Sequence, residues 1–310
     1  MVPLANRSHF RHSPRMRRPI NPGILYGVAA YAIWGLLPAF LKLLKPLPAP
    51  DILAYRILFS LVLLGVLAAA LRHGAALRRI ATTPRLMLAL TASSVLIGIN
   101  WLVYIIAVNG GHVAQASLGY FINPLVNVLL GTLVLRERLG RIEAVAVALA
   151  GCGVAFLAYE QGGVPVIPLT LAFSFGTYGL IRKVTPVDAI DGLLVETAIL
   201  SPPSAAWLWF AGASLAAGPA LWLLPASGVL TAIPLILFAA AARRVRYSDL
   251  GLIQYLAPTL QLVLAVAIYG EAVTVPQWAA FGLIWVALAI YAAGATLTAR
   301  RAAVTLPDLA

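Results

Sequence analysis

Two ionisable residues stand inside long apolar runs: Arg56 in ILAYRILFSLVLLG and Glu196 in LLVETAILSPPSAAWLW. An arginine in the middle of a bilayer costs roughly 2.5–3.5 kcal/mol on insertion scales, so its retention calls for a reason. One reason is an anchor for an anionic or carboxylate-bearing small molecule; the other is a structural ion pair, for which Glu196 is the natural partner. An acid in such surroundings can also exchange protons as its environment changes, which makes Glu196 a coupling candidate. Polar side chains recur nearby at helical spacing. Tyr120, Asn123, Asn127 and Gly131 return to one face of a helix, and Asn100 and Tyr104 lie one turn apart on another. Gln254, Tyr255 and Gln261 form a third group, and Trp34, Pro38 and Lys42, with Tyr31 adjoining, a fourth. An unpaired buried amide costs on the order of 2–7 kcal/mol, so these faces should look at protein or water rather than lipid. Together they are read as substrate-binding candidates, with Pro124 and Pro258 as hinge candidates, because a proline inside a helix removes a donor and frees a carbonyl.

The chemistry this inventory excludes is equally informative. There is no H-E-x-x-H, G-x-x-x-x-G-K-S/T or G-x-S-x-G. His112 is a lone loop histidine without a second ligand at metal spacing, so no metal and no cofactor is expected. Asp188 and Asp191-Gly192 faintly suggest a lipid phosphotransferase, but the basic and acidic residues that should follow are missing. The single cysteine, Cys152, forbids an intrachain disulfide and reads as a small residue packed beside Gly151 and Gly153. Gly119, Gly131 and Gly151 are read as close-packing positions.

Elements long enough to position these residues follow one another along the chain. Of the 310 residues, 62% are hydrophobic and only 10% charged, against about 25% charged in soluble domains. The chain reads as an all-α polytopic membrane protein with ten transmembrane helices. They run over 24–44, 51–71, 86–108, 113–135, 142–159, 164–181, 190–210, 219–241, 248–269 and 276–297, each near the roughly 20 residues a bilayer requires. The net charge of +12 does not point to nucleic acid. Nineteen of the 22 basic residues fall in alternate loops or tails, with Lys42, Lys45 and Arg56 as the exceptions. That pattern predicts cytoplasmic location for those loops and both termini. The basic arm at 1–22 lacks an apolar core and cleavage site, so the run from Gly23 reads as a retained first helix. The cluster Arg136, Glu137, Arg138 and Arg141 reads as a cytoplasmic helix end.

The two halves partly superimpose. A shift of 134 positions brings Tyr120 onto Gln254, Pro124 onto Pro258, Asn127 onto Gln261 and Glu137 onto Glu271; a shift of 140 brings Asp51 onto Asp191 and Arg56 onto Glu196. The expected organisation is a five-helix unit at 23–160, a second at 161–298 and a tail at 299–310. An odd-numbered unit used twice inserts its second copy upside down, the usual plan of secondary transporters with a site between the halves.

The stretches AYAIWGLLPAFLK at 30–42, DILAYR at 51–56, GINWLVYIIAVN at 98–109, SLGYFINPLVN at 117–127, LAFSFGTYGLIRK at 171–183 and YLAPTLQ with YGE at 255–271 carry a resemblance. They resemble the RarD group of the EamA branch of the drug/metabolite transporters, over nearly the whole chain between the tails. The resemblance implies ten helices in two inverted halves, a bacterial inner-membrane location and export of a small molecule. Tyr55, Ile106 and Gln115 depart from that group, which more often has His, Trp and Glu there. Uptake of an amino acid or other small carboxylate is the runner-up, and an integral membrane enzyme of lipid metabolism a remote one. Partners are then a small-molecule substrate and the bilayer, with Glu196 the coupling candidate if transport is driven by protons instead of by exchange or the substrate gradient.

Overall fold

The computed structural model describes residues 21–44, 47–109, 113–161, 166–211, 220–268, 270 and 274–304. Among them every regular element is a helix: α1 (Pro22–Leu43), α2 (Ala49–Ala70), α3 (Gly74–Ala81), α4 (Pro84–Asn109), α5 (Val113–Leu133), α6 (Arg141–Gln161), α7 (Val166–Val184), α8 (Ala189–Phe210), α9 (Ala220–Ala242), α10 (Tyr247–Ile253), α11 (Leu256–Ala267) and α12 (Val275–Val304). Each of the ten predicted stretches holds a helix. The ninth is broken in two, and the short amphipathic α3 was not expected. Among the described residues four spans, Pro22–Phe40, Pro50–Ala70, Pro84–Tyr104 and Trp222–Ala242, are long and apolar enough to cross a membrane by length and composition.

The burial pattern is that of a protein dissolved in lipid. Leu88, Val62 and Val66 are 72%, 63% and 65% exposed on helix exteriors, whereas Asn123, Asn127, Ser93, Arg182 and Glu196 are buried. In water that arrangement would be penalised on both sides; in hydrocarbon it is the favourable one. The packing brings α1 against α9 and α11, α2 against α8 and α9, α4 against α7, α5 against α7 and α10, and α6 against α12.

α2 and α8 run antiparallel. Asp51 in the first turn of α2 accepts from Trp207 Nε1 near the end of α8 at 3.0 Å, and Asp191 in the first turn of α8 meets His73, just past α2, at 2.5 Å. The second contact depends on how α2 ends. Arg72 takes a left-handed conformation (φ 58°), and the His73 N–H closes onto the Ala68 carbonyl at 2.9 Å. Arg136 (φ 56°) does the same after α5, with the Glu137 N–H returning to the Gly131 carbonyl at 2.9 Å. Each turn swings the next side chain towards a helix start in the other half.

Glu137 lands on α10. Its carboxylate accepts from the Tyr247 N–H at 2.7 Å and from the Ser248 N–H and hydroxyl at 3.0 and 2.8 Å. A Cβ at Gly131 would stand 2.7 Å from Glu137 Oε2, so only glycine leaves room for this cap. Burial raises the Glu137 pKa, but the two backbone N–H groups, the Ser248 hydroxyl and nearby Lys183 hold it below the ordinary glutamate range. A depressed carboxylate stabilises the fold above its unfolded value, and that contribution is lost as pH falls through its folded value. Glu137→Ala should therefore cost about 1 kcal/mol at neutral pH, the usual worth of a helix cap. Thermal unfolding in detergent should show that difference at pH 7 and none at a pH below the folded value.

Candidate functional site

A cavity of about 90 Å³ lies in the middle of the bundle, walled by α1, α2, α4, α5, α7, α9, α11 and Gln254 in the break before α11. Its polar lining is Arg56, Asn100, Tyr104, Tyr120, Thr231, Gln254 and Gln261, and its aromatic walls are Tyr31, Trp34, Trp101 and Phe175. Pockets holding drug-sized ligands measure about 300–1,000 Å³, so in this conformation the walls admit a few waters and must part for anything larger.

Three prolines explain why the chain turns its backbone towards this space. A helical proline deprives the carbonyl four residues earlier of its donor. For Pro38, Pro124 and Pro258 those residues are Trp34, Tyr120 and Gln254, and all three line the cavity. The Trp34 carbonyl accepts from Gln261 Nε2 at 3.3 Å, which links α1 to α11. The Gln254 carbonyl accepts instead from the Ala257 N–H at 3.0 Å, a tighter turn, and here the helix breaks into α10 and α11. α5 stays continuous through Pro124.

Arg56 reaches the cavity from α2. Its Nε donates to Thr231 Oγ1 at 2.8 Å and its guanidinium lies over the Trp101 ring, 5.8 Å from the centroid. Among the described residues no carboxylate comes within ion-pair distance of it. Arg56 lines the cavity beside the Tyr104 and Tyr120 rings, whose centroids are 5.6 Å apart, and among the described residues its terminal amino groups make no hydrogen bond. The expected pairing of Arg56 with Glu196 does not form. Each residue stands seven positions past its helix start, and α2 and α8 are antiparallel 22-residue helices. At about 1.5 Å per residue the two sit roughly 10 Å apart along the bundle.

Glu196 pairs instead with Arg182, at 3.6 Å from its Nε, and both side chains are 1% exposed. Ser93 Oγ and Tyr178 OH donate to the Glu196 carboxylate at 2.5 and 3.4 Å. Arg182 Nη2 donates to the Asp188 and Ala189 carbonyls, both at 3.2 Å. A Cβ on Gly192 would overlap the guanidinium, so this glycine lets α8 lie directly on Arg182. Sequence reasoning placed Arg182 among the loop cations; it is a buried residue on α7, because that helix continues to Val184. Asp188 caps α8 by accepting from the Ile190 N–H at 3.0 Å, while Asp191 meets His73.

The remaining candidates divide in two. Trp34, Asn100, Tyr104, Tyr120, Gln254 and Gln261 line the cavity with Arg56. Asn123, Asn127, Tyr255 and Glu196 do not. Asn123 Nδ2 donates to the Ala172 carbonyl at 3.2 Å, Asn127 Nδ2 to Gln254 Oε1 at 2.9 Å and Tyr255 OH to the Phe121 carbonyl at 3.2 Å. These three join helices; Asn127 also orients Gln254, which accepts from Tyr31 OH at 3.3 Å. Pro258 lines the cavity and Pro124 stands one turn from Tyr120. The Lys42 and Gln115 side chains, His112 and Glu271 fall outside the described residues. Tyr55 packs with Leu44 and Leu224, and Ile106 is 59% exposed, so neither departure reaches the cavity. Gly119 packs on Leu171, but Gly151 faces open space and Cys152 is exposed, because α6 turns that face away from its neighbours. Missed in the sequence were Arg182, Ser93, Tyr178, Thr231 and Trp101. Of these, Trp101 had a readable cue, since it adjoins Asn100.

One family model, described as the EamA-like transporter family, matches the chain twice, over residues 21–159 and 163–293. An uncharacterized transporter of Pseudomonas aeruginosa is 44% identical, over 91% of this chain and 97% of its own. Protein RarD of Escherichia coli is 45% identical over 90% and 96%. A Pseudomonas aeruginosa protein named chloramphenicol-sensitive protein RarD is 30% identical over 86% and 92%. A solved crystal structure superimposes with a TM-score of 0.69 at 20% identity, covering 90% of this chain and 98% of that one, which speaks for the fold alone.

Proposed function

Since the chain belongs to the EamA-like transporter family, a bacterial membrane-transporter family of the drug/metabolite kind, we propose that it is a secondary carrier that exports a small metabolite or drug across the inner membrane by alternating access. The substrate site is the cavity around Arg56. The single observation that carries this reading is Arg56, held at its Nε by Thr231 and lining a space walled by aromatics and amides, with no carboxylate partner among the described residues. Such a lining suits a compound with a carboxylate or other anionic group and a flat or apolar body. Amino acids and amphipathic drugs both fit that description.

The packing supports ten membrane-crossing helices in two inverted five-helix halves, with α10 and α11 counted as one. Exchange the first half's helices for the second's and the neighbours map onto each other. α1 with α9 becomes α7 with α4, α1 with α11 becomes α7 with α5, and α2 with α8 and α6 with α12 map onto themselves. The links between Asp51 and Trp207 and between Asp191 and His73 are related in the same way. With the basic loops facing the cytoplasm, both termini lie there too.

The test is transport by purified protein in liposomes, with a panel of amino acids, other small carboxylates and chloramphenicol. Entry or exit of at least one compound above empty liposomes supports the carrier, and the sense of the gradient that drives it separates export from uptake. A panel that does not move overturns the substrate reading.

A further inference from the structure

A second recess lies away from the central cavity, where α3 and the start of α4 meet the turn between α7 and α8. It is an open groove of about 540 Å³, and none of the eight residues lining it is acidic. Arg79 and Arg85 supply its charge, Thr83 and Thr185 its hydroxyl-bearing rim, and Leu86 and Val184 its apolar wall. Arg79 Nη2 donates to the Pro186 carbonyl at 3.0 Å, which fixes the side chain across the groove and leaves the rest of the fork available. Arg85 makes no ion pair among the described residues.

Depth matters as much as charge. The membrane-length apolar span of α4 begins at Pro84, so Arg85 stands in its first turn, where hydrocarbon gives way to headgroups. α3 lies just before it, with Ile80 buried and Arg78 and Arg79 exposed, the division of a helix lying along a membrane surface. Below the arginines the wall turns apolar, and Val184 is 58% exposed. A ligand suited to this groove has a phosphate at the top and acyl chain beneath it.

We propose that this groove binds the headgroup of an anionic phospholipid of the leaflet facing the basic loops, with the phosphate between Arg79 and Arg85 and an acyl chain along Leu86 and Val184. Basic recesses between membrane helices on that side are the recurring form of such sites. One bound lipid then bridges α3–α4 of the first half to the α7–α8 turn of the second.

The test measures binding of one phosphatidylglycerol to the purified full-length protein in uncharged detergent by native mass spectrometry. Wild type should bind it, and Arg79→Gln with Arg85→Gln should bind about thirtyfold more weakly, which corresponds to about 1 kcal/mol for each arginine at a membrane surface. Phosphatidylcholine should bind wild type no better than phosphatidylglycerol binds the variant. Arg17→Gln with Arg18→Gln removes the same charge from the N-terminal arm and should leave the affinity unchanged. Equal loss in that control, or wild-type affinity in the groove variant, overturns the site. Displacement of the lipid by inorganic phosphate alone would make it a site for a free anion and overturn the lipid assignment.

Discussion

Arg56→Ala should abolish transport while leaving the protein as stable as wild type or more so. A charge-assisted hydrogen bond is worth about 1.5–3 kcal/mol. Losing a two-bond clamp on an anionic group therefore weakens substrate binding by about 3 kcal/mol or more, over a hundredfold. The opposite sign is expected for folding. Arg56 is a cation held in the bundle by one hydroxyl and one indole face, with no carboxylate partner among the described residues. Removing a buried charge that lacks a counterion relieves a desolvation cost instead of creating one. Transport by reconstituted liposomes and thermal unfolding of the same preparation read both effects. An Arg56→Ala protein that unfolds early would make Arg56 a structural residue and move the site elsewhere.

Arg182→Met should do the reverse, unfolding the protein early by about 3–5 kcal/mol, because it leaves the Glu196 carboxylate buried without its counterion. Ser93 and Tyr178 still donate to that carboxylate, but two hydroxyls do not replace a charge. Glu196→Gln should also destabilise the fold, since it leaves the buried Arg182 guanidinium without its counterion, although the Asp188 and Ala189 carbonyls still accept from it. Combining the two changes should recover part of the loss, and a double-mutant cycle from denaturation midpoints measures the coupling. Transport by Glu196→Gln separates two mechanisms. A carrier that moves protons through this acid stalls; a uniporter or exchanger keeps its rate. Its pairing with Arg182 and its position off the cavity favour the second outcome.

Much of the site was readable because its residues obey helical periodicity. Asn100 with Tyr104 and Tyr120 with Asn123 were found as polar faces on apolar helices, and the prolines at 124 and 258 marked backbone that cannot close its own bonds. What the spacing could not decide is which amides face substrate and which face a neighbouring helix. Asn123 and Tyr120 share a helix face within one turn, yet Tyr120 lines the cavity and Asn123 binds the Ala172 carbonyl. That choice is set by where α7 crosses α5, a tertiary fact. Arg182 was hidden by a rule that is right on average. A basic residue close to a helix end reads as a loop cation, and only the depth of Glu196 on the antiparallel neighbour shows that it must turn inward. The false pairing of Arg56 with Glu196 contradicted the inversion already inferred, because corresponding positions in inverted halves lie at opposite ends of the bundle. A continuous helix was expected across Gln254; the break lies four residues before Pro258, whereas α5 runs unbroken through Pro124.

The most direct test of alternating access at this cavity does not require the substrate. In a protein with Cys152→Ser, which removes the native exposed thiol, a cysteine replaces Leu37 on the cavity wall. A membrane-impermeant thiol reagent is then applied to sealed proteoliposomes of defined orientation, from one side and then from the other. The account predicts labelling from both sides, with modification from either side blocking the other and bound substrate slowing both. Labelling confined to one side under every condition, or none from either, would contradict a carrier whose site is the Arg56 cavity.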